Sequence, residues 1–186
     1  MTRIIGIDPG SLKTGYGIIE SDGVRNCYVA SGCIRVKGDN LAQRLGDIYS
    51  SLHAVIVQWQ PDEMAIEQVF MSNNADSALK LGQARGAAIC AGVQLQLPVS
   101  EYAAREIKNA VVGSGSALKQ QVQHMMRVLL KIDKTLQADE ADALGVALCH
   151  AHHRASKIPV VAKSTARNAS RKTTRGRWQA YLEQKS

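Results

Sequence analysis

The chain predicts an α/β domain on a mixed sheet, three antiparallel strands followed by parallel ones, with helices on its faces. Three features carry that prediction. Short β-branched runs alternate with stretches of helical periodicity. The first two runs, Arg3-Ile4-Ile5-Gly6-Ile7-Asp8 and Thr14-Gly15-Tyr16-Gly17-Ile18-Ile19, are separated by a Pro9-Gly10 turn, as in a hairpin. An amphipathic helix then intervenes before the next strand, the connection expected of a right-handed parallel crossover. At 186 residues and 45% hydrophobic content, the chain can fill one domain with a full core.

Taken in order, Val24 to Val36 alternates loosely and reads as the third strand. Asn40 caps a helix whose apolar positions Leu41, Leu45, Ile48, Leu52, Val55, Ile56 and Trp59 recur at helical spacing. Pro61-Asp62 ends it, and Met64 to Gln68 is a short strand placed parallel to the first. A loop, Val69 to Asn74, carries the chain's single Phe, Phe70. The helix from Ala75 to about Val93 lines up Ala78, Gly82, Gly86 and Cys90, a face that calls for close approach of the sheet or of a twofold-related copy, with Lys80 and Arg85 elsewhere on its surface. Leu95 to Val99 is the next strand candidate. Val111 to Ser116 reads as a turn, with Ser116 capping a helix through Lys131, and Gln137 opens a last helix through about His153.

The net charge is +7, but it is unevenly placed. From Arg154 onward there are nine Lys or Arg and one acid, Glu183, whereas the preceding residues hold fourteen bases against fifteen acids. A core of residues 1–155 is therefore expected, followed by a basic, flexible tail over 156–186. No apolar stretch reaches membrane-spanning length and the start lacks a secretory layout, so no membrane association and a cytoplasmic location are expected. Cys27, Cys33, Cys90 and Cys149 lack ligand spacing and read as buried thiols. His150, His152 and His153 read as helix C-terminal residues facing the dipole.

Chemistry enters through the acids. Asp8 ends the first strand and Glu67 ends its parallel neighbour, while Asp139 and Asp142, three apart, share a face of the last helix. Each has an ordinary reading, as a strand-end or first-turn carboxylate. Four carboxylates brought together without a balancing cation must either hold protons or bind metal. Oxygen donors without Cys or His point to Mg²⁺ or Mn²⁺. Two such ions about 4 Å apart can activate water and stabilise the leaving oxygen of a phosphodiester. Lys108 and Lys119 bracket the Gly113-Ser114-Gly115 turn, where they are either solvated or placed to grip a phosphate. Phe70 by itself reads as an apolar residue folded back onto the body.

The segments IIGIDPGSLKTGYGII, AIEQVFMSNNADSALKLGQARGAA, EYAAREIKNAVVGSGSALKQQVQHM and ADEADALGVALCHAH, spread in order from residue 3 to about 153, resemble the RuvC family of bacterial Holliday-junction resolvases. The resemblance implies a ribonuclease H-like fold, a homodimer, and Mg²⁺-dependent nicking of two like-polarity strands of a four-way DNA junction, beside RuvA and RuvB. By position, it implies that Asp8, Glu67, Asp139 and Asp142 hold the metal, that Phe70 is the aromatic at the junction centre, and that Lys108 and Lys119 approach the scissile strand. Lys80 and Arg85 are added as candidate DNA contacts. Ser72-Asn73-Asn74 is uncharged where the family often carries a Lys or Arg.

The G-I-D-x-G strand-turn also opens two-lobed sugar-kinase and actin-like ATPases, but here neither a second lobe nor a P-loop follows. A non-catalytic DNA-binding module and a related nuclease for another structured nucleic acid compete with the resolvase reading. If the basic tail contributes phosphate contacts, a chain ending at residue 155 will bind junction DNA more weakly at low salt and with a flatter salt dependence. An unchanged slope of affinity against salt would exclude that role.

Overall fold

The computed structural model describes residues 1–69 and 74–157. Phe70 and the tail from residue 158 lie outside the described residues, and with them the expectations placed there. Five strands, β1 (Thr2–Asp8), β2 (Lys13–Ser21), β3 (Asn26–Arg35), β4 (Glu63–Glu67) and β5 (Val99–Tyr102), form one sheet in the order β3-β2-β1-β4-β5. β1, β2 and β3 are antiparallel, and β4 and β5 run parallel to β1. The mixed sheet expected from the sequence is thus present.

Strand alternation divides the core. Ile5 and Ile7 of β1, Ile18 of β2 and Met64 and Ile66 of β4 face α1 (Leu41–Trp59) and α2 (Ala75–Gln94), where Ile48, Leu52, Ile56, Ala84, Ala88 and Ala91 are buried. The intervening residues face α5 (Ala138–Lys157), whose Leu144, Ala147 and Leu148 pack on Ile4 and Ile19. Asn40 caps α1 as expected, its side chain accepting from the Gln43 N–H at 3.0 Å, and Asn74 caps α2 in the same way.

α5 approaches the glycines of β1 and β2 closely. A Cβ on Gly6 would collide with the Ala143 carbonyl and the Ala147 N–H, and one on Gly15 with the Asp139 carbonyl. Backbone lies on backbone there, so no side chain fits between. The far end of α5 is tied down by polar contacts. His150 is buried, its Nδ1 2.8 Å from the Tyr102 hydroxyl and its Nε2 2.5 Å from Glu63, and Arg154 also pairs with Glu63 at 3.2 Å.

Several expectations need correction. The fifth strand starts at Val99, not Leu95. The Gly92 carbonyl accepts from the N–H groups of Leu95 and Leu97, Gln96 is left-handed, and Pro98 has no N–H for a ladder. A helix unassigned from sequence, α3 (Ala104–Val112), follows at once; Glu106 accepts from the Ala103 N–H at 2.9 Å, and Ile107 and Val111, four apart, are buried. Val111 therefore lies in the last turn of a helix instead of opening a loop. α4 (Lys119–Leu129) starts three residues after Ser116, where Gln121 accepts from the Leu118 N–H at 2.8 Å. β3 excludes Val24, which sits exposed beside the left-handed Gly23. His150 serves the Tyr102–Glu63 link and not the helix dipole. Of the four cysteines Cys149 alone is buried, Cys33 is half-buried, and Cys27 and Cys90 are exposed. The sheet takes the alanine face of α2; a Cβ on Gly82 or Gly86 would meet nothing within 4 Å among the described residues.

Gly6→Ala tests the crossing directly. The added methyl cannot be accommodated without moving α5, so urea denaturation should show a loss of about 1–3 kcal/mol. Wild-type stability would refute the close packing.

Candidate active site

Sheet register builds the site. Asp8 pairs with Gly15, and Gly15 with Cys33, in one row across β1, β2 and β3. On the other side Asp8 and Glu67 each follow the paired Ile7 and Ile66, and Glu67 pairs with Tyr102 of β5. By alternation, Asp8 and Glu67 lie on the sheet face that α5 covers. The gap left by Gly15 admits the start of α5, which brings Asp139 and Asp142 over the same strand ends. The four predicted acids therefore meet at one electrostatic centre: Asp8 feels Glu67, Asp142 and Asp139, and Glu67 feels Asp142.

Asp8, Glu67 and Asp142 line a cleft of about 260 Å³ together with Lys108, Lys119, Ala104, Ile107 and Val122. A second cleft, of about 240 Å³, shares Asp8 and Glu67 and continues past Pro9, Gln68 and Val69 to Leu81 and Ala104. The two strand-end acids form the ridge between them. Burial, followed by repulsion from Glu67, Asp142 and Asp139, pushes the Asp8 carboxyl up to about 7. Burial and then Asp142 raise Glu67, with Lys119 and Lys108 opposing. Lys119 Nζ stands 3.2 Å from Asp142, whose charge holds the ammonium above the usual lysine range.

Lys108 and Lys119 thus join the acids, in a helix–turn–helix, α3 to α4, that the sequence showed only in part. Lys80 lies elsewhere, paired with Asp76 at 2.6 Å, and lines a groove of about 170 Å³ with Ser11, Asn40 and Arg44. Arg85 is on the opposite face of the sheet, half-buried against Glu101 of β5. Cys33 was missed as a neighbour of the centre: its Sγ is 3.6 Å from Asp139. No local signal could have found it, since Cys33 joins the row of Asp8 and Gly15 only through the register of three strands.

The donor set suits a hard divalent cation, being carboxylate oxygen throughout apart from the nearby thiol. A proton on Asp8 near neutral pH marks the deficit of positive charge that such an ion relieves. Among the described residues, no three His, Cys, Asp or Glu side chains are gathered tightly enough to hold an ion as they stand.

A five-stranded mixed sheet with acids at the ends of its first and fourth strands and on its last helix defines a ribonuclease H-like nuclease fold. The sequence matches the family "Crossover junction endodeoxyribonuclease RuvC" over residues 4–150. The chain belongs to that family. It is 56% identical over 171 residues to crossover junction endodeoxyribonuclease RuvC of Shewanella frigidimarina, covering 92% of this chain and 99% of that protein. Among solved structures it resembles Thermus thermophilus RuvC in complex with a Holliday junction substrate, with a TM-score of 0.78, 27% identity and coverage of 84% of this chain and 96% of that one. The yeast mitochondrial Holliday junction resolvase Ydc2 shares the fold, with a TM-score of 0.62 at 12% identity, over 83% of this chain and 79% of that one. The family is one of divalent-metal-dependent nucleases.

The raised Asp8 value carries a sign. Between pH 3.8 and about 7 the folded protein keeps a proton that the unfolded chain releases, so in the metal-free protein Asp8 lowers stability as pH rises through that window. Asp8→Asn should remove the slope. In EDTA at pH 8 the variant should be more stable than wild type by roughly 2–4 kcal/mol, and equal to it near pH 3.5. Parallel stability curves across the range would show that neither burial nor the other acids raise Asp8.

Proposed function

We propose that Asp8, Glu67, Asp139 and Asp142 are the hydrolytic centre with which this crossover junction endodeoxyribonuclease nicks two like-polarity strands of a four-way DNA junction. The observation that carries the reading is the meeting of acids from β1, β4 and α5 at one cleft, where burial and then repulsion from the other acids push the Asp8 carboxyl up to about 7. The Thermus relative, described in complex with a Holliday junction substrate, supports junction DNA as the substrate. We assign Mg²⁺ as the ion, with Mn²⁺ as a substitute and two ions per centre, because the acids offer oxygen donors only.

Bound ions would supply Lewis-acid stabilisation of the charge that develops during in-line phosphodiester hydrolysis. The chain's own residues do the rest. Asp8 and Glu67 end hydrogen-bonded strands and so hold fixed positions, while α5, clamped on Gly6 and Gly15, presents Asp139 and Asp142 from above. Lys108 and Lys119 bring ammonium groups to the cleft, where they would attract a phosphate that the acids alone repel. The apolar wall of Ala104, Ile107 and Val122 lowers the local dielectric and strengthens those interactions. Beyond the centre, Lys80 shares its groove with Arg44 and is a further phosphate contact. Both are ion-paired, Lys80 with Asp76 and Arg85 with Glu101, but the Lys80 side chain is the more exposed, so Lys80 is the better placed of the two.

Two nicks of like polarity call for two centres related by a twofold axis, and the homodimer is assigned to α2. Ala78, Gly82, Gly86 and Cys90 run along the side of α2 turned away from the sheet, with Leu79 and Val93 exposed beside them. An apolar strip of small residues on a helix suits close packing with its own copy. By family membership, RuvA and RuvB are assigned as partners.

A synthetic four-way junction and a plain duplex of the same sequence, each incubated with the protein and Mg²⁺, test the activity. Paired symmetric nicks on the junction alone are expected, and equal cutting of duplex would refute the assignment. Asp8→Asn should slow nicking at least 100-fold, roughly the loss seen on removing one electrostatic catalytic group, while retaining junction binding in a gel-shift assay. Gly82→Glu should convert the dimer to a monomer by light scattering; an unchanged mass would move the interface away from α2.

A further inference from the structure

Resting on the reading that the four carboxylates hold divalent ions, we propose that Lys119 is the resident counterion of the centre. It gives up Asp142 when an ion binds, so that loading the ion frees its ammonium within the same cleft. Two observations lead there. Lys119 Nζ lies 3.2 Å from Asp142, one of the carboxylates an ion would need. Lys119 is the cation that opposes the crowding at Asp8, so it already partly fills the electrostatic place of an ion.

The two side chains are unequal in freedom. The Asp142 side chain is 21% exposed on a helix packed against the sheet, whereas that of Lys119 is 71% exposed and can swing away. Lys119 is also the first residue of α4, where the helix dipole disfavours a cation, so the helix itself does not retain the ammonium there. Lys108 lines the same cleft but forms no ion pair among the described residues, and serves as the internal comparison.

Competition of this kind lowers the apparent affinity for the ion by the fraction of molecules in which Asp142 is free. For a pair as exposed as this one, that factor is roughly fivefold. Titration of the DNA-free full chain with MgCl₂ by calorimetry reads it without any turnover. Lys119→Met and Lys119→Gln should each bind Mg²⁺ roughly fivefold more tightly than wild type, and Lys119→Arg should stay within about twofold of it. Lys108→Met should gain clearly less than Lys119→Met. Equal gains at the two positions would mean a general field and no exchange, and wild-type affinity in Lys119→Met would also overturn the proposal. Absence of Mg²⁺ binding in wild type and all variants would instead overturn the metal-centre reading beneath it.

Discussion

The structure depends on the contact between the backbone of α5 and the glycines of β1 and β2. Helix and sheet normally keep a layer of side chains between them; at Gly6 and Gly15 that layer is missing, and the helix start descends onto the strand ends. Asp139 and Asp142 are carried down with it. The same helix is fixed at its other end through His150 to Tyr102 and Glu63, so its placement is held by packing at one end and by buried polar contacts at the other. Neither the acids on the strands nor those on the helix would form a site without this crossing.

The crossing has an electrostatic consequence. Burying Asp8 and setting three other acids around it costs free energy, visible in a carboxyl that holds its proton close to neutrality. Lys108 and Lys119 offset part of the repulsion, and they come from α3 and α4, which close over the cleft from a separate stretch of chain. The remaining bases are disposed differently: Lys80 faces another groove, and Arg85 is neutralised by Glu101 beneath the sheet.

Much of the framework was legible because it is local. β-Branched alternation marks β1 and β2, Asn40 marks a helix start through its own side chain, and the long crossover through α1 predicts a parallel β4. The errors fall where local signals compete. Leu95 to Leu97 is apolar enough for a strand, but Gly92 and Pro98 make it a helix end. α3 is short, and its Val111 and Val112 run straight into a Gly-Ser turn that obscures the helix end. Cys27 and Cys90 sit in regular elements yet point outward, and His150 took its buried role from residues distant in the chain.

The sequence by itself determined which residue types stand at the ends of β1 and β4 and at the start of α5, because strand and helix periodicity are properties of neighbouring residues. It also determined family membership, through motifs preserved in order along the chain. Tertiary structure alone decided that these acids meet, that Lys119 rather than Lys108 is paired with Asp142, and that Cys33 lies beside Asp139. Those relations come from strand register and from the depth at which a helix sits on glycines, and both are set by contacts between residues far apart in the chain.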